Sequence, residues 1–221
     1  MQIVYEFLRC FGLIQGWPAH VVLFKKKVYY EDVNEKNRFI KGGALIISNH
    51  FAVFDYMVNV FLFPFRKLHV VVAEFIYKRS KFYHFGLRCF GGIRSDRDIK
   101  GMRFIDESVK VLKKGGLVQI FPEAQTSDGR GLQYFKPSYI MIALRAGVPI
   151  IPVVLDGNYG ITKRTHVLIG KKIYVREFCS SENPTKEEIE NLNKMVFDKF
   201  CQLKTQMEEN IEMEKKVKNN G

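Results

Sequence analysis

One histidine and one carboxylate in this chain stand in a pattern that can move a proton. Ser48-Asn49-His50 is followed, five residues after the histidine, by Asp55. On a continuous helix, residues five apart lie about 140° apart around the axis, so their side chains cannot meet. The pair can act together only if His50 lies in a turn and Asp55 in the first turn or two of the helix that follows. The carboxylate then accepts from one imidazole nitrogen and leaves the other free to take a proton from a hydroxyl. A His and an Asp at this spacing also arise by chance, so their surroundings decide.

Three further stretches carry reactive or binding groups. Gly91-Gly92-Ile93-Arg94-Ser95-Asp96-Arg97 joins glycines that permit positive φ or close backbone approach to arginines able to grip a phosphate through two parallel hydrogen bonds. The plainer reading is a solvated basic turn. Phe121-Pro122-Glu123-Ala124-Gln125-Thr126-Ser127 offers a carboxylate and hydroxyls. Val148-Pro149-Ile150-Ile151-Pro152-Val153 is apolar, and its prolines predict an edge strand or a strand start.

The elements that must position these groups are legible as apolar runs. Residues 44–47, 70–73, 117–121 and 150–155 are short and continuously apolar or nearly so, as in buried strands. Between them, 104–113 and 137–146 have helical spacing and end at Gly115-Gly116 and Gly147. Strand and helix alternate, which predicts an α/β fold: one αβα-type sandwich around a largely parallel sheet, in a chain of 221 residues that suits a single core. In such sheets ligands collect at the carboxyl ends of the strands, where both His50 and Glu123 fall.

At the N-terminus Ile3, Val4, Phe7, Leu8 and Phe11 recur at helical spacing, predicting an amphipathic helix that stops near Gly12 or Gly16. After Trp17-Pro18, the apolar residues 21–24 run into Lys25-Lys26-Lys27. That order suits an interfacial segment whose lysines meet anionic headgroups at about 1 kcal/mol each; the alternative is a helix packed on the protein's own core. No uninterrupted apolar run reaches the ~18 residues of a membrane span, and the pattern of a secretory signal is missing. Peripheral contact with an anionic membrane, at its cytoplasmic face, is the expectation. Near the other end Ile189, Leu192, Val196, Phe200 and Leu203 form a stripe on a helix beginning after Pro184-Thr185 and running into a polar tail, 208–221. The stripe is expected to pack on the host domain of a monomer, with oligomerisation as the other reading.

The net charge of +12 calls for an anionic partner. With no basic stripe interleaved with aromatics and no nucleic-acid-binding motif, nucleic acid is not expected. Cys10, Cys89, Cys179 and Cys201 are dispersed, and His20, His69, His84 and His166 form no cluster by spacing. Reduced thiols in a cytosolic protein and no metal site are expected.

Taken in order, the four stretches resemble the glycerol-phosphate and lysophosphatidic acid acyltransferase family, whose first block is a His, four residues, then Asp. His50 and Asp55 match it, preceded by Asn49; Gly91, Ile93 and Arg97 match the second block; Phe121-Pro122-Glu123 the third; and 148–153, with Pro149, the fourth. Lys136 follows Phe135 where the family often carries a Phe-Lys pair. The resemblance covers roughly residues 40–160. It departs in the third block, where the family usually continues Gly-Thr-Arg-Ser and this chain reads Ala124-Gln125-Thr126-Ser127.

The resemblance implies transfer of a fatty acyl group from acyl-CoA or acyl-carrier protein, as co-substrate and with no other cofactor, to a lysophospholipid hydroxyl. The acceptor it implies first is 1-acylglycerol-3-phosphate, giving phosphatidic acid. His50 would be the base, Asp55 its orienting partner, and no acyl-enzyme would form. Arg97 would hold the acceptor phosphate, and Glu123 would take a glycerol hydroxyl or brace Arg97. Gly91, Ile93, Phe121, Pro122, Lys136 and Pro149 would complete the substrate site. Backbone N–H groups near the start of the helix carrying Asp55 are candidate oxyanion donors. The changed third block leaves open another lysophospholipid, an ornithine lipid or a sugar as acceptor, and the remaining rival is a non-catalytic basic protein binding membrane or nucleic acid. The implied divisions are a membrane-interaction segment 1–30, a catalytic domain 31–178 and a C-terminal helix with tail 179–221.

Overall fold

The computed structural model describes residues 2–36, 39–95, 103–124, 131–179, 181 and 183–219. The chain opens with a single helix, α1 (Gln2–Phe24), which runs through Gly12, Gly16 and Pro18 instead of stopping at a glycine. An interior glycine costs a helix about 1 kcal/mol and a proline about 3, and packing offsets those costs. A Cβ on Gly16 would come 3.3 Å from the Phe61 ring, and the buried His20 lies against the same ring with centroids 4.2 Å apart. Glu6 and Arg9 break the apolar run, yet residues Ile3–Phe24 are long and apolar enough to cross a membrane, and few of them are covered by protein. The expectation that no segment reaches that length is therefore corrected. The ladder of backbone hydrogen bonds, which the apolar run does not report, makes one element of two.

Then follow β1 (Lys27–Tyr30), β2 (Ala44–Ser48), α2 (Phe54–Leu62), β3 (Leu68–Ala73), α3 (Glu74–Lys78), α4 (Lys81–Cys89) and β4 (Ile93–Ser95). The second half holds α5 (Arg103–Lys113), β5 (Leu117–Ile120), α6 (Ser138–Ala146), β6 (Ile150–Leu155), β7 (His166–Ile169) and α7 (Lys186–Asn219). The strands form one sheet in the order β1-β7-β6-β2-β5-β3-β4, parallel at every junction but β6–β7. Leu45, Ile47, Val118, Ile120 and Val154 face α5, α6 and α7; Ala44, Ile46, Leu117, Ile151 and Val153 face α1 and α2. Burial on both faces explains why these strands read as unbroken apolar runs rather than alternating ones. The expected αβα sandwich is what the chain forms.

Two details depart from expectation, and a third, the α7 stripe, follows it. β6 is an interior strand and not an edge, while Pro149 does mark its start. Pro152 is accommodated because β7 ends at Ile169 beside it: the Pro152 carbonyl accepts from Gly170 N–H at 2.9 Å, and a Cβ on Gly170 would lie 2.6 Å from the proline ring. β1 pairs with β7, so the sheet begins at Lys27 and a boundary after residue 30 would cut it. The stripe on α7 is buried against the chain's own core. The helix then continues to Asn219 through the expected polar tail, where Glu214 takes Lys27 and Tyr29 from β1 and Arg164.

Candidate active site

The central strand β2 ends at Ser48, and the next three residues set the site. Asn49 is buried and acts as an extra rung of the sheet. Its amide donates to the Leu155 carbonyl and accepts from the Leu155 N–H, both at 2.9 Å, so the ends of β2 and β6 are clamped together. His50 follows in the turn, and Asp55 is the second residue of α2. Placing the pair across this strand-to-helix junction is the arrangement that the five-residue spacing requires.

Asp55 is fully buried, and a buried carboxylate persists only when its oxygens are well supplied with donors. Its Oδ2 accepts from His50 Nδ1 at 2.8 Å, Phe51 N–H at 2.6 Å and Ala52 N–H at 2.8 Å. Its Oδ1 accepts from the Tyr159 hydroxyl in a short hydrogen bond. The N-terminal end of α2 adds its positive dipole. Because Asp55 only accepts, His50 carries its proton on Nδ1 and presents Nε2 as a base. Burial and the neighbouring Asp55 charge raise the Tyr159 hydroxyl above its ordinary value, so it stays a donor.

Glu123 braces the histidine from the other side. One oxygen accepts from the His50 N–H and the other from the Gln133 N–H, each at 2.9 Å, and the residue is 4% exposed. Burial raises its carboxyl above the usual value, opposed by those two backbone bonds. Both oxygens already serve the backbone, which gives Glu123 a positioning contact with His50. Phe121 stacks on the imidazole with centroids 4.2 Å apart and planes at 23°. Pro122 accepts from the Lys136 N–H at 2.9 Å, while the Lys136 side chain is exposed. Ala124 adopts φ +55, the left-handed conformation natural to the glycine that the family's third block carries here.

The other expected residues divide. Gly91 has φ +78, and a Cβ there would come 2.7 Å from Lys67 and 2.8 Å from His69, so the glycine is needed for both reasons foreseen. Ile93 is a core residue of β4. Pro149 lies at the opposite end of the sheet, its carbonyl accepting from Leu45 N–H, about five residues and roughly 16 Å along the strands from His50. Arg97 and residues 125–127 fall outside the described residues. Arg94 sits 3.8 Å from Glu74, and Arg103 pairs with Glu107 one helical turn on. The expected oxyanion donors are corrected in part, because the N–H groups of Phe51 and Ala52 are occupied by Asp55. Of Phe61 to Phe65, residues 61–63 are core, while Phe65 is exposed and stacks on Phe39.

Sequence reasoning missed Tyr159, which comes from the loop after β6, 104 residues from its partner. Its aromatic ring touches Phe54 and Phe24, and neither its type nor its spacing announces the contact. It gave Asn49 no structural role, although a buried asparagine at a strand end is a signal that could have found the clamp.

The sequence model of the family described as Acyltransferase matches residues 27–156, from β1 to the residue after β6. The chain belongs to the acyltransferase family. It is 27% identical over 165 residues to the 1-acyl-sn-glycerol-3-phosphate acyltransferase of Borreliella burgdorferi, covering 72% of this chain and 65% of that one. With the protein of the same name from Haemophilus influenzae the identity is 26% over 165 residues, covering 71% of this chain and 67% of its relative. The chain thus spans about two thirds of the length of these relatives. In fold it matches the crystal structure of the 1-acyl-sn-glycerophosphate (LPA) acyltransferase PlsC from Thermotoga maritima with a TM-score of 0.59 at 17% identity, over 95% of this chain and 97% of that one.

Proposed function

We propose that this acyltransferase moves a fatty acyl group from an acyl thioester, acyl-CoA or acyl-carrier protein, to the free hydroxyl of 1-acylglycerol-3-phosphate, giving phosphatidic acid. The observation that carries the reading is the imidazole of His50, held through Nδ1 on the buried Asp55 at the carboxyl edge of the sheet. The acceptor hydroxyl attacks the thioester carbonyl while His50 Nε2 takes its proton. The tetrahedral intermediate then expels the thiolate, which receives that proton from His50, leaving an ester and a free thiol. General-base assistance of this kind is worth about 10²–10⁴ in rate. Asp55 fixes the tautomer and stabilises the imidazolium as it forms. Direct transfer without an acyl-enzyme fits the fate of Ser48, whose buried hydroxyl donates to the Asn49 carbonyl.

The names of the relatives support the acceptor, and the left-handed Ala124 supports retention of the backbone conformation at the position of the lost glycine. Arg97, by its place in the second block, is the proposed phosphate grip. The protein works as a monomer on the cytoplasmic face of a membrane, with α1 lying in the interface. In support of that orientation, Lys67 reaches Glu6 at 2.6 Å, Tyr5 meets Phe85, and at the other end Phe24 meets Phe54, so both ends of the helix are tied to the domain.

The test is an assay of the purified chain with long-chain acyl-CoA against a panel of lysophospholipids, beside His50→Ala. Phosphatidic acid should form from lysophosphatidic acid and fall at least about 10²-fold in the variant. Acylation undiminished by the substitution removes His50 as base. Transfer confined to another lysolipid, an ornithine lipid or a sugar moves the acceptor.

A further inference from the structure

The tip joining α3 to α4 exposes every residue from Lys78 to Phe85, Lys-Arg-Ser-Lys-Phe-Tyr-His-Phe, and none of these is acidic. Cations and aromatics thus interleave on one surface, which corrects the expectation that the chain carries no such stretch. The hairpin is built to hold it outward. Tyr77 and Cys89 are buried at its base, and the Ser80 hydroxyl caps α4 by accepting from Tyr83 N–H at 3.2 Å. Phe82 is 81% exposed and Phe75 61%. Exposed aromatics gathered into one patch, unlike ones scattered singly, mark an interaction surface.

We infer that the α3–α4 hairpin, residues 74–89, is a second membrane-docking element that seats Phe82 and its aromatic neighbours among lipid headgroups while Lys78, Arg79, Lys81 and Arg88 bind the phosphates of an anionic bilayer. Aromatic side chains favour that depth, and basic residues near an anionic surface add attraction. The only acid of the hairpin, Glu74, is turned back onto Lys78 at 2.8 Å and Arg94 at 3.8 Å, leaving the balance positive.

The neighbouring helix α1 singles out a bilayer as the occupant. Phe85 contacts Tyr5 of α1, with ring centroids 5.9 Å apart. On its face turned away from that contact α1 exposes Ile3, Phe7, Phe11 and Ile14, which offer nothing to a polyanion and much to acyl chains. α3 also begins at Ala73, where β3 ends, at the sheet edge that carries His50. Two elements docked on one membrane, the hairpin and α1, would therefore flank the route from the lipid layer to the base. The inference rests on the functional reading for two premises, that the acceptor resides in a membrane and that α1 lies in its interface.

The experiment needs no turnover, so loss of the functional reading would leave its outcome intact. The full chain and the double variant Lys81→Glu/Phe82→Ser are sedimented with vesicles of phosphatidylcholine containing phosphatidylglycerol, and with phosphatidylcholine alone. The wild type should prefer the anionic vesicles, and the double variant should bind them at least about tenfold more weakly with an unchanged Tm. In parallel, Phe82→Trp in a Trp17→Phe background should shift its emission to the blue on adding anionic vesicles. Unchanged sedimentation of the double variant, or an unshifted emission, overturns the inference. So does a substitution effect confined to single-stranded RNA binding or to self-association, which would assign the tip to a nucleic acid or to a second copy of the chain.

Discussion

Two histidines of this chain hold an aspartate through Nδ1: His50 takes Asp55 at 2.8 Å and His166 takes Asp156 at 2.6 Å. Both pairs stand where β2 and β6 end, and by distance alone the second is the tighter. Their supports differ. Asp55 sits on the first turn of α2 with two backbone N–H groups and the Tyr159 hydroxyl on it, and its histidine is braced at the backbone by Glu123. Asp156 spends its other bonds on the nearby Asn158, and His166 stacks on Tyr29 beside the Lys27, Arg164 and Glu214 mesh that ties α7 to β1. The first pair is held by elements that converge from across the sheet, and the second fastens a loop and a helix. In the mechanism proposed above, what separates the working pair from the fastening pair is therefore its surround and not the His–Asp hydrogen bond itself.

The sharpest way to break the contrast is to remove each carboxylate charge. Asp55→Asn should lower acyl transfer by about 10²–10⁴, because an amide no longer fixes the basic tautomer of His50. Asp156→Asn should leave the rate within about threefold while lowering stability by about 1–3 kcal/mol, as expected for a largely buried fastening contact. Equal losses in the two variants would erase the distinction. Tyr159→Phe leaves the buried Asp55 Oδ1 without its donor and should cost about 1–3 kcal/mol in urea unfolding. A roughly tenfold fall in rate should accompany it, if loss of one donor shifts the orientation of Asp55 by an amount worth one hydrogen bond.

Glu123 provides a smaller, pH-dependent test. Its folded-state carboxyl lies above the ordinary 4.5, mainly through burial, so the folded chain holds that proton more tightly than the unfolded one. Its contribution to stability is therefore greatest below 4.5 and declines as pH rises through the raised value. Glu123→Gln should flatten that part of the stability-against-pH curve, measured by denaturant unfolding at stepped pH; an unaltered slope would show that another group sets it. The smallest effect belongs to Ala124→Gly. Relief of a left-handed alanine, about 1 kcal/mol, is partly offset by the extra freedom of glycine in the unfolded chain, leaving about 0.5 kcal/mol of gain.

The strands at 44–48, 68–73, 117–120 and 150–155 were legible because strands buried on both faces must be apolar throughout, and α5 and α6 by their helical spacing, whereas α3 and α4 were not read. β1, β4 and β7 were not legible, because β1 and β4 are partly exposed edge strands that need not be apolar throughout and β7 opens on the polar His166. The length of α1 was hidden for a different reason. Glycine and proline signal helix ends by propensity, and here packing on Phe61 outweighs them.

In the site, the sequence by itself determined the pair His50 and Asp55 and the condition for their meeting, since an offset of five excludes a shared helix. It also determined that Glu123 follows a buried strand and lies at the same edge. What only the tertiary structure decided was the work of each group. Glu123 turns both oxygens to the backbone, Pro149 lies at the far end of the sheet, and Tyr159 arrives from 104 residues away to complete the shell of Asp55. The physical reason is that local propensity and spacing act along the chain, whereas the donors that sustain a buried carboxylate are collected across the sheet, from segments whose proximity exists only once the core has formed.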